Sequence, residues 1–333
     1  MKNILRFKDI IGHDEVIERL RRDISGDRLA HAYLFVGPDG VGKATVARLL
    51  GAATLCKSES SEERPCGSCL ACRKISRHNH PDFHLLEPSE GKRWIRIEQV
   101  RGLQADMSLR PFESNRRVVL VDGAENMNIA AQNAFLKTLE EPPPGTLIVM
   151  VAPGVHRLLP TIVSRCRIER FGPLKTTELA NMLTDLRDID IDEASIVASL
   201  AFGSVGAAIA MDLNFVRKVR PSLIERITEI ADGEEMNPER ILGLSNQLIK
   251  LGDDSLALLR GLLRDVASRK MGRSGIINSD LSETVDRLAR RWRIEDILFF
   301  FDKTIESEAG LTRNLNRALV FENLLISLAE GGA

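Results

Sequence analysis

Aromatic side chains are scarce. Twelve Phe, two Trp and one Tyr make up 5% of 333 residues, so the core must be built from Leu, Ile, Val and Ala. An excess of charge of either sign is also absent. The 46 Lys and Arg residues are balanced by 47 Asp and Glu, for a net charge of -1. A strongly basic domain would have pointed to direct nucleic-acid binding. With this balance, any such contact must come from a local patch or from partners. No run of about 18 apolar residues occurs, which excludes a predicted membrane-spanning helix. The stretch Met1-Lys2-Asn3-Ile4-Leu5-Arg6-Phe7-Lys8-Asp9 has no apolar segment of signal-peptide length, so a cytoplasmic location is expected. No Ser/His/Asp or Cys/His set stands out as a nucleophilic centre. Cysteine is rare too, but unevenly spread: Cys56, Cys66, Cys69 and Cys72 cluster, while Cys166 stands apart. In a reducing compartment such a cluster reads as metal ligands rather than disulfides.

What is present fits a soluble α/β protein of two or three domains, with 44% hydrophobic and 28% charged residues. Tyr33-Leu34-Phe35-Val36, Val118-Val119-Leu120-Val121 and Leu147-Ile148-Val149-Met150-Val151 read as buried strands. Between them Val16, Ile17, Leu20 and Ile24, and later Ile129, Asn133, Leu136 and Leu139, repeat at helical spacing. Strands separated by helices predict a parallel sheet. Beyond Phe171, Gly172-Pro173 breaks the chain and the pattern becomes helical, with helices expected near 176–184, 192–201 and 204–212 and longer ones after them. The expected division is an α/β domain over 1–171, a three-helix domain over 172–213 and an all-helical domain over 214–333. Lys57 to Pro65 is a polar loop leading into the cysteines.

Gly37-Pro38-Asp39-Gly40-Val41-Gly42-Lys43 follows the first strand and opens a helix, which is the setting of a phosphate-binding P-loop. Glycines let backbone N–H groups converge on phosphate, the helix N-terminus adds positive potential, and Lys43 would reach the outer phosphates. The next position should offer a hydroxyl to Mg²⁺, but it is Ala44. Thr45 comes one place late, turned about 100° around the helix. Asp122 ends the second strand where a Walker B carboxylate would hold Mg²⁺. Gly123 follows it, where an active ATPase would carry a water-orienting Glu.

Several motifs together resemble the AAA+ clamp-loader family of the bacterial replicative DNA polymerase. They are Phe7-Lys8-Asp9-Ile10-Ile11-Gly12, His31-Ala32-Tyr33-Leu34-Phe35, Asn133-Ala134-Phe135-Leu136-Lys137-Thr138-Leu139-Glu140-Glu141-Pro142-Pro143 and Ser164-Arg165-Cys166. The match covers roughly the first 210 residues, with a weaker echo from Asn314 to Leu328. The resemblance implies an AAA+ P-loop domain, a helical lid and a helical collar that assembles with gamma/tau and delta subunits in a hetero-pentamer. That assembly loads a sliding clamp onto primed DNA; the polymerase chemistry belongs to another chain. It further implies that Ala152-Pro153 replaces the sensor-1 group and that Gly206 replaces the lid arginine of sensor 2. With Ala44 and Gly123, four catalytic positions are lost while Arg165, the arginine finger of the motif, is kept. That combination looks like the family's stator-type subunit, which serves a neighbour's ATP. The alternative is a divergent, catalytically active gamma/tau-type subunit. Weak ATP or ADP binding through Gly37, Gly40, Gly42, Lys43 and Asp122 fits either reading, whereas efficient hydrolysis fits only the second.

Cys56-x9-Cys66-x2-Cys69-x2-Cys72 supplies four thiolates, enough for one tetrahedral Zn²⁺, and the family carries a zinc site with this spacing. A filled shell makes the expected role structural. Cys56 is expected at a helix end and the other three on a compact loop. Cys166 reads as a small buried residue. Arg287, Arg290, Arg291 and Arg293 around Trp292 read as a solvated helix face, with a subunit or DNA contact as the other possibility. A zinc-dependent DNA-binding module would explain the cysteines but none of the P-loop features, and the neutral charge opposes it.

Overall fold

The computed structural model describes residues 6–232, 237–252, 254–273, 275–313 and 315–330. The first five residues, Asn314 and residues 331–333 lie outside them. In chain order the first elements are α1 (Asp14–Ser25), β1 (Ala32–Val36), α2 (Lys43–Leu55), α3 (Leu70–Ser76), β2 (Phe83–Leu86) and α4 (Ile97–Ser108). β3 (Arg117–Asp122), α5 (Ile129–Glu140), β4 (Thr146–Ala152), α6 (Pro160–Val163) and β5 (Arg167–Arg170) follow. The helices α7 (Thr176–Arg187), α8 (Ile191–Leu200) and α9 (Val205–Ala210) come next. The chain continues through α10 (Arg220–Asp232), α11 (Pro238–Leu251), α12 (Asp254–Lys270), α13 (Ser282–Arg291), α14 (Ile294–Thr312) and α15 (Arg317–Glu330). Two compact units result. One runs to Arg187 and takes in Phe202–Ile209; the other comprises Asp188–Ala201 and the chain from Ala210 onward.

The first unit is built on a five-stranded parallel sheet in the order β2-β3-β4-β1-β5. Side chains alternate faces along each strand. Tyr33, Phe35, Val118, Leu120, Val149 and Val151 pack with α1 and α2 on one face. Leu34, Val36, Val119, Val121, Ile148 and Met150 pack with α4 and α5 on the other. Both faces are covered, so β1 and the interiors of β3 and β4 are continuous apolar runs rather than alternating ones. α1 shows the opposite economy, burying only Val16, Ile17, Leu20 and Ile24.

Two strands were not expected from the sequence. β2 and β5 are the sheet's edges, and β5 carries Arg167, Glu169 and Arg170 among its four residues. Ion pairs make that composition tolerable: Arg19 holds Glu169 at 2.8 Å and Arg167 holds Asp23 at 2.7 Å. Beyond Phe171 the described residues contain no strand, as expected.

The second unit is helical around one core that includes Leu244, Leu262, Val266, Leu288, Trp292, Phe300 and Leu325. The Trp292 and Phe300 rings pack with centroids 5.0 Å apart, tilted by 56°. A buried polar network fixes the segment before α13. Asp265 accepts from the backbone N–H of Ile277 and Asn278, both at 2.8 Å, and Arg220 donates to Asn278 Oδ1 at 2.6 Å and to Asp280. Arg287, Arg290, Arg291 and Arg293 are exposed while Trp292 is buried, consistent with the reading of a solvated face.

Candidate functional site

The phosphate loop joins β1 to α2. Gly42, at φ +104°, caps the start of α2, a left-handed position that a side chain would strain. Lys43 is buried, and its Nζ donates to the carbonyls of Gly37 and Pro38, both at 2.6 Å. Gly40 (φ +75°) meets the lid directly, since a Cβ there would lie 2.2 Å from Ser204 Oγ. The N–H of Gly206, near the start of α9, donates to Gly40 O at 2.9 Å. A Cβ on Gly206 would come within 3.2 Å of Gly40 Cα. A side chain at 206 would therefore have to push the Gly40 backbone aside by a few tenths of an ångström.

A cavity of about 360 Å³ opens beside the loop, lined in part by Lys43, Ala44, Asp122, Gly123, Ala152 and Gly206. The fold thus gathers the residues singled out at the loop, the Walker B strand and the lid. Thr45, although turned from Ala44, also lines this cavity. Gly123 sits at φ +74°, and a Cβ would press on the Asn126 amide at 2.5 Å, so the backbone explains its glycine. Burial, with Glu87 adding repulsion, pushes the Asp122 carboxyl above the usual carboxylate range. Burial does the same to Glu125, which also lines the cavity and leaves Oε2 without a hydrogen-bond partner.

Arg165 lies elsewhere. It follows α6 and precedes β5, at the N-terminal end of that strand, whereas the P-loop leaves the C-terminal end of the adjacent β1. The register pairs Tyr33 with Arg167 and Val36 with Arg170. The four residue steps from Tyr33 to Gly37 alone span roughly 13 Å. The guanidinium pairs with Glu140 at 2.7 Å and donates to Thr161 O at 2.9 Å. Its neighbour Cys166 is half-buried, and burial pushes the thiol up to about 12.

The four clustered cysteines converge. Their Sγ atoms all lie within 4.8 Å of one another, and Cys56 and Cys69 are 3.9 Å apart. A Zn–S bond of about 2.3 Å in a tetrahedron requires sulfur separations of about 3.8 Å. Backbone N–H groups of Ser58 and Cys66 donate to Cys56 Sγ at 3.5 and 3.4 Å, that of Cys69 to Cys66 at 3.3 Å, and that of Cys72 to Cys69 at 3.5 Å. Such donors favour thiolates. A hydrogen bond from the Cys72 thiol, assisted by these amides, lowers Cys56 to about 4. The donor set fits a four-coordinate thiophilic metal. Cys56 follows α2 as expected, but the other three do not all ride on a loop: Cys69 is the N-cap of α3 and Cys72 lies within that helix.

Two structural residues near these sites carried no signal in the sequence. Buried Asp82 accepts from the backbone N–H of Phe112, Glu113 and Ser114 at 2.6, 2.9 and 3.0 Å. Burial alone would raise its pKa, but these donors and the Ser114 hydroxyl outweigh that and hold the carboxyl below its ordinary value. Arg117 donates to Met107 O and Leu109 O at 2.5 and 2.6 Å, fixing the other end of the same loop. Only their contacts some 30 and 10 residues away reveal them.

A P-loop between the first strand and helix, a sheet covered on both faces and a lid helix resting on the loop define an AAA+ protein. The family model described as DNA polymerase III, delta subunit, matches residues 12–175, and its C-terminal counterpart matches residues 222–330. The chain is 31% identical over 306 residues to DNA polymerase III subunit delta' of Pseudomonas aeruginosa, covering 90% of this chain and 92% of that one. It is 29% identical over 326 residues to the Bacillus subtilis subunit delta', covering 95% and 96%. The B. subtilis subunit tau is 26% identical over 352 residues, covering 98% of this chain and 62% of tau. The chain belongs to the delta' family of DNA polymerase III clamp-loader subunits.

Proposed function

We propose that this chain is the stator of the clamp loader: it hydrolyses little or no ATP itself and supplies Arg165 to the ATP of a neighbouring gamma/tau subunit. One observation carries the reading. Arg165 and the chain's own P-loop lie at opposite ends of adjacent parallel strands, so the guanidinium cannot serve that loop in cis. Half exposed at the rim of the sheet, it is free to meet a phosphate held by another subunit. There it would stabilise charge on the transferring phosphoryl group, as arginine fingers do.

The local site supports the same reading. Ala44 gives Mg²⁺ no hydroxyl, and Gly123 gives water no carboxylate. The lid position nearest the loop is filled by the Gly206 backbone. Any ATP or ADP bound here would rest mainly on the P-loop amides, Lys43 and Asp122. The partners are then gamma/tau and delta subunits in a hetero-pentamer, with sliding clamp and primed DNA engaged through the assembly. The four cysteines hold one structural Zn²⁺. Elemental analysis should give close to one zinc per chain, and chelation should expose the segment around residues 56–76 to protease while the sheet stays folded. Zinc well below one equivalent would refute this.

The decisive test is the reconstituted complex carrying Arg165→Ala. Assembly should be preserved. Hydrolysis at the one dependent site should fall by about a thousandfold or more, total ATPase should fall in part, and clamp loading should fall sharply. Loading at the wild-type rate would refute the finger. Robust turnover by the isolated chain, abolished by Lys43→Ala, would instead favour an active gamma/tau-like ATPase.

A further inference from the structure

We infer that Glu140 is a positioning residue for Arg165, holding the guanidinium at the sheet rim ready for a partner's phosphate. The inference rests on the reading of Arg165 as a finger acting in trans.

Glu140 is the last residue of α5. A carboxylate at a helix C-terminus faces the negative end of the helix dipole and is disfavoured there unless something compensates. The compensation is Arg165, whose Nη2 lies 2.7 Å from Glu140 Oε1. The same guanidinium donates through Nη1 to Thr161 O at 2.9 Å, with Ser164 Oγ at 3.5 Å. Two hydrogen bonds from Nη1 and one ion pair at Nη2 do not use up a guanidinium's five N–H donors, so some remain for an incoming oxyanion. Exposure fits this use: Arg165 is 36% and Glu140 49% accessible, so the pair is anchored without being sealed.

The pair is held in register from within the protein. Buried Gln132, on α5, donates to Met127 O at 2.9 Å and accepts from the N–H of Leu159 at 2.9 Å, just before α6. Phe135 and Ile162 pack in the same core beneath. The helix bearing Glu140 and the turn bearing Arg165 therefore form one rigid support. The ion pair only has to restrict the side chain, and an exposed pair is strong enough for that and weak enough to yield to phosphate.

The test uses the reconstituted complex with primed DNA and clamp. At saturating ATP, Glu140→Ala should slow loading about two- to fivefold, the population shift an exposed ion pair can impose. Glu140→Gln should recover part of this, because its amide oxygen still accepts. The double variant Glu140→Ala/Arg165→Ala should load no more slowly than Arg165→Ala alone. Wild-type loading by Glu140→Ala, with Arg165→Ala impaired, overturns the positioning role and leaves the finger intact. Additive losses in the double variant also overturn it, since Glu140 would then act elsewhere. Wild-type loading by Arg165→Ala removes the finger reading itself.

Discussion

The two ends of one parallel sheet are equipped very differently. At the C-terminal ends of β1, β3 and β4 lie a phosphate loop, an acidic strand end and a lid, all stripped to small residues: Ala44, Gly123, Ala152 and Gly206. At the N-terminal end of β5 sits Arg165, held by a carboxylate and a carbonyl. The first end keeps the shape of an ATP site but few of its reactive groups. The second has one reactive group and a support built around it. Backbone geometry drives the fold, so a loop of this shape can persist whether or not it hydrolyses ATP. A lone guanidinium contributes little to folding, so its ordered support at an exposed rim needs another reason, which the proposed finger would supply.

The largest expected contrast lies between the two ends themselves. Arg165→Ala should cripple loading at its one dependent site, whereas Lys43→Ala should leave loading within about twofold of wild type. Lys43 still has a structural task, since its Nζ satisfies two loop carbonyls. Its removal should therefore show as lower stability, by about 1–2 kcal/mol. A Lys43→Ala complex that assembles but cannot load would place essential chemistry at the P-loop and break the contrast.

A smaller effect tests why the lid carries glycine. Gly206→Arg restores the residue type of an active lid, but its Cβ would crowd Gly40 Cα at 3.2 Å. Crowding of this kind costs about 1–3 kcal/mol. The variant should melt earlier and gain no hydrolysis, as Ala44 and Gly123 remain. Unchanged stability together with new ATPase activity would show that the lid can lift from the loop and that only the arginine was missing.

Much of this was legible in the sequence, and the exceptions share a cause. β1, β3 and β4 are buried on both faces, so each announces itself as an apolar run. β2 and β5 pair on one side only. Edge strands carry charge, and Arg167-Ile168-Glu169-Arg170 looks like a loop until Arg19 and Asp23 are seen beside it. The P-loop and cysteine spacings were readable because a ligand dictates local spacing. The roles of Asp82, Arg117 and Gly206 were not, because each depends on contacts with distant segments. Placing Cys69 and Cys72 on a loop went wrong for a related reason. A cysteine can cap a helix, and Cys69 accepts from the Cys72 N–H as a serine would.

The smallest effect concerns Asp122. In a working site this carboxylate holds Mg²⁺, and its amide substitute would abolish hydrolysis. Here burial raises its pKa above the ordinary value of 3.8. The sign follows from linkage: the folded state binds the proton more tightly than the unfolded state. Stability associated with this group is therefore fullest below the ordinary value. It declines as pH rises through the raised folded value, and above that the buried charge is a constant cost. Asp122→Asn removes the charge, so it should be as stable as wild type at neutral pH or more stable by less than about 1 kcal/mol. Its advantage should shrink as the pH is lowered toward and below the ordinary carboxylate range. Paired thermal melts of variant and wild type across that range, with loading assays on the complex, measure both quantities. A variant that is less stable at neutral pH, or whose complex loads clamps far more slowly, would mean that Asp122 binds a needed cation, and the acidic end of the sheet would have to be counted as active after all.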